Sequence, residues 1–290
     1  MRERAPVCCH PCRRCGAKMT ELVLHRGVSV RRIGAMILRH WYVLMSSWPR
    51  LLELVYWPAL QVTTWGFLQL HIAQNSNFGA RAGGTLLGAV ILWDILFRGQ
   101  LGFSISFLEE MWARNIGNLM MSPLKPIELL LSLMVMSLIR LAIGVVPMTL
   151  LALLLFQFNV YVLGLPLIGL FCNLILSSWA VGICVSGLVL RNGLGAESVA
   201  WTVIFAILPL ACVYYPVGVL PVWLQYVAWA LPPTYAFEGM RALLSDQTFR
   251  SDLMLEAFAI NSVLLVASFW TFLALFRSSR MHGSLLSGSE

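Results

Sequence analysis

Six long apolar runs govern what this chain can fold into. They are about Leu51 to Leu70, Gly83 to Phe107, Ile127 to Phe156, Tyr161 to Leu190, Val199 to Tyr215 and Leu255 to Phe276, and none holds a cluster of charges. A bilayer hydrocarbon core is about 30 Å thick, so roughly 20 apolar helical residues cross it. Lipid offers no hydrogen bonds to a bare backbone, so each run reads as a helix. Composition agrees. Of 290 residues, 59% are hydrophobic and only 11% charged, with a mean hydropathy of +0.79, whereas a soluble domain carries about 25% charged residues. A soluble globular fold and a disordered chain are both excluded. The expected fold is an all-α integral membrane domain over residues 30–280, between a basic, cysteine-bearing tail (1–29) and a short tail (281–290).

The stretch Val217 to Leu231 is apolar as well, but Pro216, Pro221, Pro232 and Pro233 interrupt it. It is expected to form a pair of short re-entrant or surface-lying helices, which proteins tolerate where other segments cover the broken backbone. Fifteen of the twenty Lys and Arg residues fall before the first span, between spans two and three, between spans four and five, or after the last. Three (Arg81, Arg241, Arg250) fall on the other side, which places both termini in the cytoplasm. Ahead of the first span, Ile33, Met36, Ile37, Trp41, Leu44 and Trp48 recur at helical spacing while Arg31, Arg32, Arg39 and Ser46 face elsewhere. That pattern predicts an amphipathic helix over Val30 to Trp48, lying on the bilayer and ended by Pro49. The four head cysteines (Cys8, Cys9, Cys12, Cys15) have overlapping Cys-x-x-Cys spacings, but no small fold follows to support a zinc site, so no metal is expected. Met19 offers an alternative start.

Between spans two and three the chain reads F-L-E-E-M-W-A-R-N-I-G-N-L-M-M-S-P-L-K-P. Leu108, Met111, Trp112, Ile116, Leu119 and Met120 share one helical face; Glu109, Glu110, Arg114 and Asn118 lie off it, and Pro123 and Pro126 close the element. This is a short amphipathic helix on the cytoplasmic side, with the acidic pair exposed. It either seals a loop at the membrane surface or docks in the groove of a partner.

Together with the basic surface helix, the six spans and the later A-L-P-P-T-Y-A-F-E-G-M-R-A-L-L, this segment resembles the membrane subunit of the ABC type-2 transporter permease family, from about Val30 to Phe276. The resemblance implies two permease subunits, alike or different, each binding a separate cytoplasmic ATPase that carries ATP and Mg. The dimer exports lipids, glycans, drugs or ions across a bacterial inner membrane. It also implies a coupling helix over Glu109 to Met121, with Glu109, Glu110, Trp112, Arg114 and Asn118 facing the ATPase. Val30 to Trp48 becomes the interface helix, and Val217 to Leu244 the re-entrant helices of an outer gate, carrying Pro221, Pro232, Pro233 and Glu238. No cofactor is expected on the chain itself. A phosphate-binding P-loop needs Gly-Lys, and the two lysines follow Ala17 and Leu124.

Two readings from other classes compete. A membrane-embedded enzyme would show a ligand or acid-base cluster, whereas the five histidines are scattered. An ion-coupled secondary transporter would place charges at mid-membrane, often within internal repeats, and no repeat is evident. Charges are present: Asp94, Arg98 and Arg140. Asp94 and Arg140 each lie roughly 20 Å along a helix from the cytoplasmic ends of spans two and three, so they share a depth. Arg98 follows Asp94 by one helical turn, so either arginine can pair with the carboxylate. Two cations to one anion leave one cation for an anionic substrate group or a lipid phosphate.

Overall fold

In a computed structural model, residues 27–75, 84–246 and 248–281 are described, and they contain helices, turns and coil without any strand. The cysteines of the head and Met19 lie outside these residues. Ten α-helices follow in order: α1 (Val30–Met45), α2 (Trp48–Asn75), α3 (Thr85–Trp112), α4 (Ile116–Met121), α5 (Pro126–Phe156), α6 (Leu165–Asn192), α7 (Glu197–Leu210), α8 (Val222–Trp229), α9 (Pro232–Asp246) and α10 (Ser251–Met281). Four of them, α3, α5, α6 and α10, are long and apolar enough to cross a membrane. The other two expected spans are of a different kind. α2 is 28 residues long but carries Arg50, Glu53, Gln61, Gln69 and His71. α7, expected to run to Tyr215, stops after 14 residues, about 21 Å at 1.5 Å per residue. Pro209 lies in its last turn, and Cys212 takes a left-handed φ of 53° just beyond.

Proline placement explains most of the boundaries. Pro126 and Pro232 each open a helix, and Pro221 caps α8; a missing N–H costs nothing in a first turn. Pro49 does the same. It was expected to end the surface helix, yet α1 ends at Met45, and Trp48 and Pro49 begin α2. Trp48 is therefore off the α1 face and is 71% exposed. The buried stripe of α1 is Met36, His40 and Leu44, spaced by four as a helix face requires.

α3 is the centre of the molecule, packed against α5, α6 and α2, while α6 packs on α10 and α1 lies across α5. Between membrane helices the hydrophobic effect supplies little, because lipid is as apolar as leucine; close packing and interhelical hydrogen bonds take its place. Gly99 and Gly182 show the first. A Cβ on Gly99 would overlap Ser178 Oγ on α6, and one on Gly182 would lie 3.0 Å from the Phe103 ring on α3. The second ties α6 to α10. Asn261 donates to the Asn173 carbonyl (3.0 Å) and accepts from Ser177 Oγ (2.7 Å), and Cys184 and Ser268 meet at 3.2 Å.

Candidate functional site

The segment between α3 and α5 is built differently from the single surface helix its periodicity predicts. α3 continues through Glu109 and Glu110 to Trp112, then Arg114 turns left-handed at φ 50°, and α4 starts only at Ile116. The Asn115 N–H closes onto the Glu110 carbonyl at 3.0 Å. Glu109 and Glu110 therefore belong to the last turns of α3. Far from being an exposed pair, their side chains are 7% and 3% exposed.

Burial of two carboxylates demands partners, and α1, α2 and α5 supply them. Glu110 Oε2 accepts from Arg39 Nη1 of α1 at 2.7 Å and from Asn115 Nδ2 at 2.8 Å. Its Oε1 lies 3.6 Å from Nε2 of the buried His40. Consecutive helical residues point about 100° apart, so Glu109 reaches other elements. It accepts from Arg50 of α2 at 2.9 Å and, through both oxygens, from Arg140 of α5 at 2.8 and 2.9 Å. A third carboxylate completes the clamp. Glu128, fully buried in the first turn of α5, accepts from Arg32 (2.5 and 2.8 Å) and from the N–H groups of Ser29 (2.8 Å) and Lys125 (3.0 Å). α1 is thus tied by charge to α3 through Glu110 and to α5 through Glu128. Burial lowers the His40 pKa; Glu110 and Glu109 oppose that shift, and Arg140 and Arg39 reinforce it.

The clamp rearranges the expected intramembrane charges. Arg140 leaves Asp94 and pairs with Glu109; Asp94 Oδ2 pairs with Arg98 Nε at 2.7 Å within α3. Among the described residues, both intramembrane arginines are thus paired, because a long arginine on α5 reaches along its helix to a carboxylate that the periodicity had put in solvent. Trp112 is 44% exposed and donates to Glu197 at 3.3 Å, and Arg114, Asn118 and Met121 are exposed. Of the five residues expected to face a partner, then, three point outward and two face inward.

At the other end, the residues expected at an outer gate hold the short helices in place. Glu238 on α9 accepts from the Val217 N–H and pairs with Arg241, both at 2.8 Å. Arg241 in turn donates to the carbonyls of Cys212 and Val213. Pro221, Pro232 and Pro233 act through the backbone, starting α8 and α9.

Residues 33–245, from the first turn of α1 to the end of α9, match the ABC-2 type transporter family. The chain belongs to that family. No curated protein matches it. As an ABC-2 protein it is the transmembrane component of an ABC transporter. His40, Arg39, Arg50, Arg32 and Glu128 of this ABC-2 permease are clamp residues that the periodicity argument passed over. One signal was available: Glu128 sits in the first turn after Pro126, where a carboxylate accepts backbone N–H groups.

Proposed function

We propose that two copies of this permease form an export pathway driven by a separate cytoplasmic ATPase, which binds the ATP and Mg and docks on the surface formed by Trp112, Arg114, Asn118 and Met121. The observation that carries this reading is the clamp. Glu110 joins the docking turn to α1 through Asn115 and Arg39, and Glu109 joins α3 to α5 and α2. A push on the turn is therefore delivered to three helices at once. Energy transfer of this kind needs a rigid link, and buried, charge-assisted hydrogen bonds are stiffer than an apolar contact. The basic asymmetry of the sequence supports six crossings with both termini in the cytoplasm, and the family likeness supports a bacterial inner membrane. The apolar helix faces support an amphipathic cargo, a drug, lipid or glycan.

The test is co-purification of the permease with its ATPase and measurement of cargo-stimulated hydrolysis. Arg114→Glu combined with Asn118→Arg should weaken the complex by about tenfold or more, through lost polar contacts and new repulsion, while leaving the thermal unfolding of the permease alone unchanged. Ion-gradient-driven transport by this chain alone in liposomes would overturn the reading in favour of a secondary transporter.

A further inference from the structure

We propose that Asp94 and Arg98 form a binding site for a neutral polar group, one that both donates and accepts hydrogen bonds, such as a hydroxyl or an amide on an amphiphile. Asp94 is fully buried and Arg98 is 9% exposed. Their contact uses one atom of each, Oδ2 and Nε. Asp94 Oδ1 is buried without a hydrogen-bond partner among the described residues. The two Nη groups of Arg98 make no hydrogen bond among the described residues, because the only bond that Arg98 forms is the one through Nε. An unmet carboxylate oxygen and an unmet guanidinium edge thus lie side by side within a membrane helix.

Charge decides the class of ligand. With Arg140 committed to Glu109, the Asp94 and Arg98 pair sums to zero. A charged ligand would forfeit its own hydration without gaining a net counter-charge, whereas a neutral donor-acceptor group fills both unmet positions. A group with acceptors alone cannot satisfy Oδ1, and one with donors alone cannot satisfy the guanidinium.

Two neighbouring helices border the pair. Gly144 of α5 faces this pair: a Cβ there would lie 3.0 Å from the Leu54 carbonyl of α2 and 3.1 Å from Cδ and Nε of Arg98. The guanidinium therefore occupies the seam between α2 and α5. Tyr214 and Trp65, which stack at 4.7 Å, pack in the apolar cluster that holds Val90, one turn before Asp94 on α3. An aromatic surface for the apolar part of an amphiphile thus lies about one helical turn from the polar pair. The site deepens the export reading by naming a cargo chemistry, but it can be tested without the ATPase.

Purified permease in phosphatidylcholine nanodiscs, free of nucleotide and ATPase, is titrated with tritiated 1-monooleoylglycerol, whose hydroxyls donate and accept. Methyl oleate (acceptors only), oleate (anionic) and oleylamine (cationic) serve as comparisons. Saturable binding of 1-monooleoylglycerol is expected, with each of the others weaker by about tenfold or more. Gly144→Ala crowds the guanidinium while keeping both charges and should weaken binding severalfold; Asp94→Asn should abolish it. Where Asp94→Asn does not fold, the alanine variant and the spectrum below decide. The chain has three aspartates, Asp94, Asp246 and Asp252, so in protein labelled with [4-13C]aspartate the probe should shift one carboxyl resonance. Competition by discs doped with diacylglycerol would assign the group to a resident lipid, and its absence to cargo; both support the site. No saturable binding, equal binding of methyl oleate, or unchanged affinity in Gly144→Ala overturns it. ATPase coupling that persists with no probe binding would refute this site alone and leave the export reading standing.

Discussion

Removing the charge of Glu109 should cost far more than removing its exposed partner. Glu109 and Arg140 are 7% and 5% exposed and meet at 2.8 Å; Arg50, the third member, is 42% exposed. Glu109→Gln leaves Arg140 as a buried cation with no counter-charge, since Asp94 is held by Arg98. Breaking a buried pair in this way costs about 3–5 kcal/mol. Arg50→Ala leaves Glu109 still bound by Arg140 through both oxygens, and loss of a half-exposed pair costs about 1 kcal/mol or less. The difference, about 2–4 kcal/mol, is a factor of roughly 30 to 1000 in the folding constant. It should be read from reversible unfolding of the purified permease in mixed micelles. Two further variants close the cycle: Arg140→Gln alone, and Glu109→Gln with Arg140→Gln, which removes both charges and should recover at least half of the loss. If Glu109→Gln and Arg50→Ala destabilise equally, the carboxylate is solvated and the clamp is not what holds this end together.

Two other outcomes follow from the same geometry. Burial lowers the His40 pKa, so its contribution to stability is complete above the unfolded value of about 6.5 and is lost as pH falls through the lower folded value; unfolding across pH 4 to 8 should show this acid limb in the wild type, and His40→Gln should flatten it. Cysteine labelling at Asn77, Arg191, Asp246 and Ser287 should give outside, inside, outside, inside, and an external Ser287 would refute six crossings with both termini in the cytoplasm.

The legible and illegible parts of the sequence divide along a physical line. Long apolar runs announce themselves, because the requirement they meet is local: α3, α5, α6 and α10 satisfy their own backbones and show it in composition. Proline is local too, so the break-up of 217–231 into short helices was readable, as was a helix start near Pro126. Pro49 misled because proline both ends one helix and begins another, and only the Ser46–Ser47 turn between α1 and α2 selects the second role. Glu109 and Glu110 misled for a deeper reason. Periodicity assigns a charge to solvent when it falls off the apolar face, and that inference fails where a basic helix far away in sequence covers the charge. Arg39 is 71 residues from Glu110, and Arg32 is 96 from Glu128. No window of helical length contains both members of such a pair.

That same separation accounts for where the charges of α3 sit. The helix is almost wholly buried and yet carries Asp94, Arg98, Glu109 and Glu110. Asp94 and Arg98 neutralise each other within one turn, so that pair asks nothing of the neighbouring helices and can stay together as they shift. Glu109 and Glu110 pair with no cation of α3 among the described residues; their counter-charges stand on α1, α2 and α5. Any movement of α1 against α3 must therefore break or carry along the Arg39 pair, and any movement of α5 against α3 must do the same with Arg140. With the cost of uncovering a buried charge at about 3–5 kcal/mol, carrying along is the cheaper course. The turn after α3, α1, α3 itself and the near end of α5 are then coupled as one body by these ion pairs, and hinging is left to the segments that no ion pair crosses.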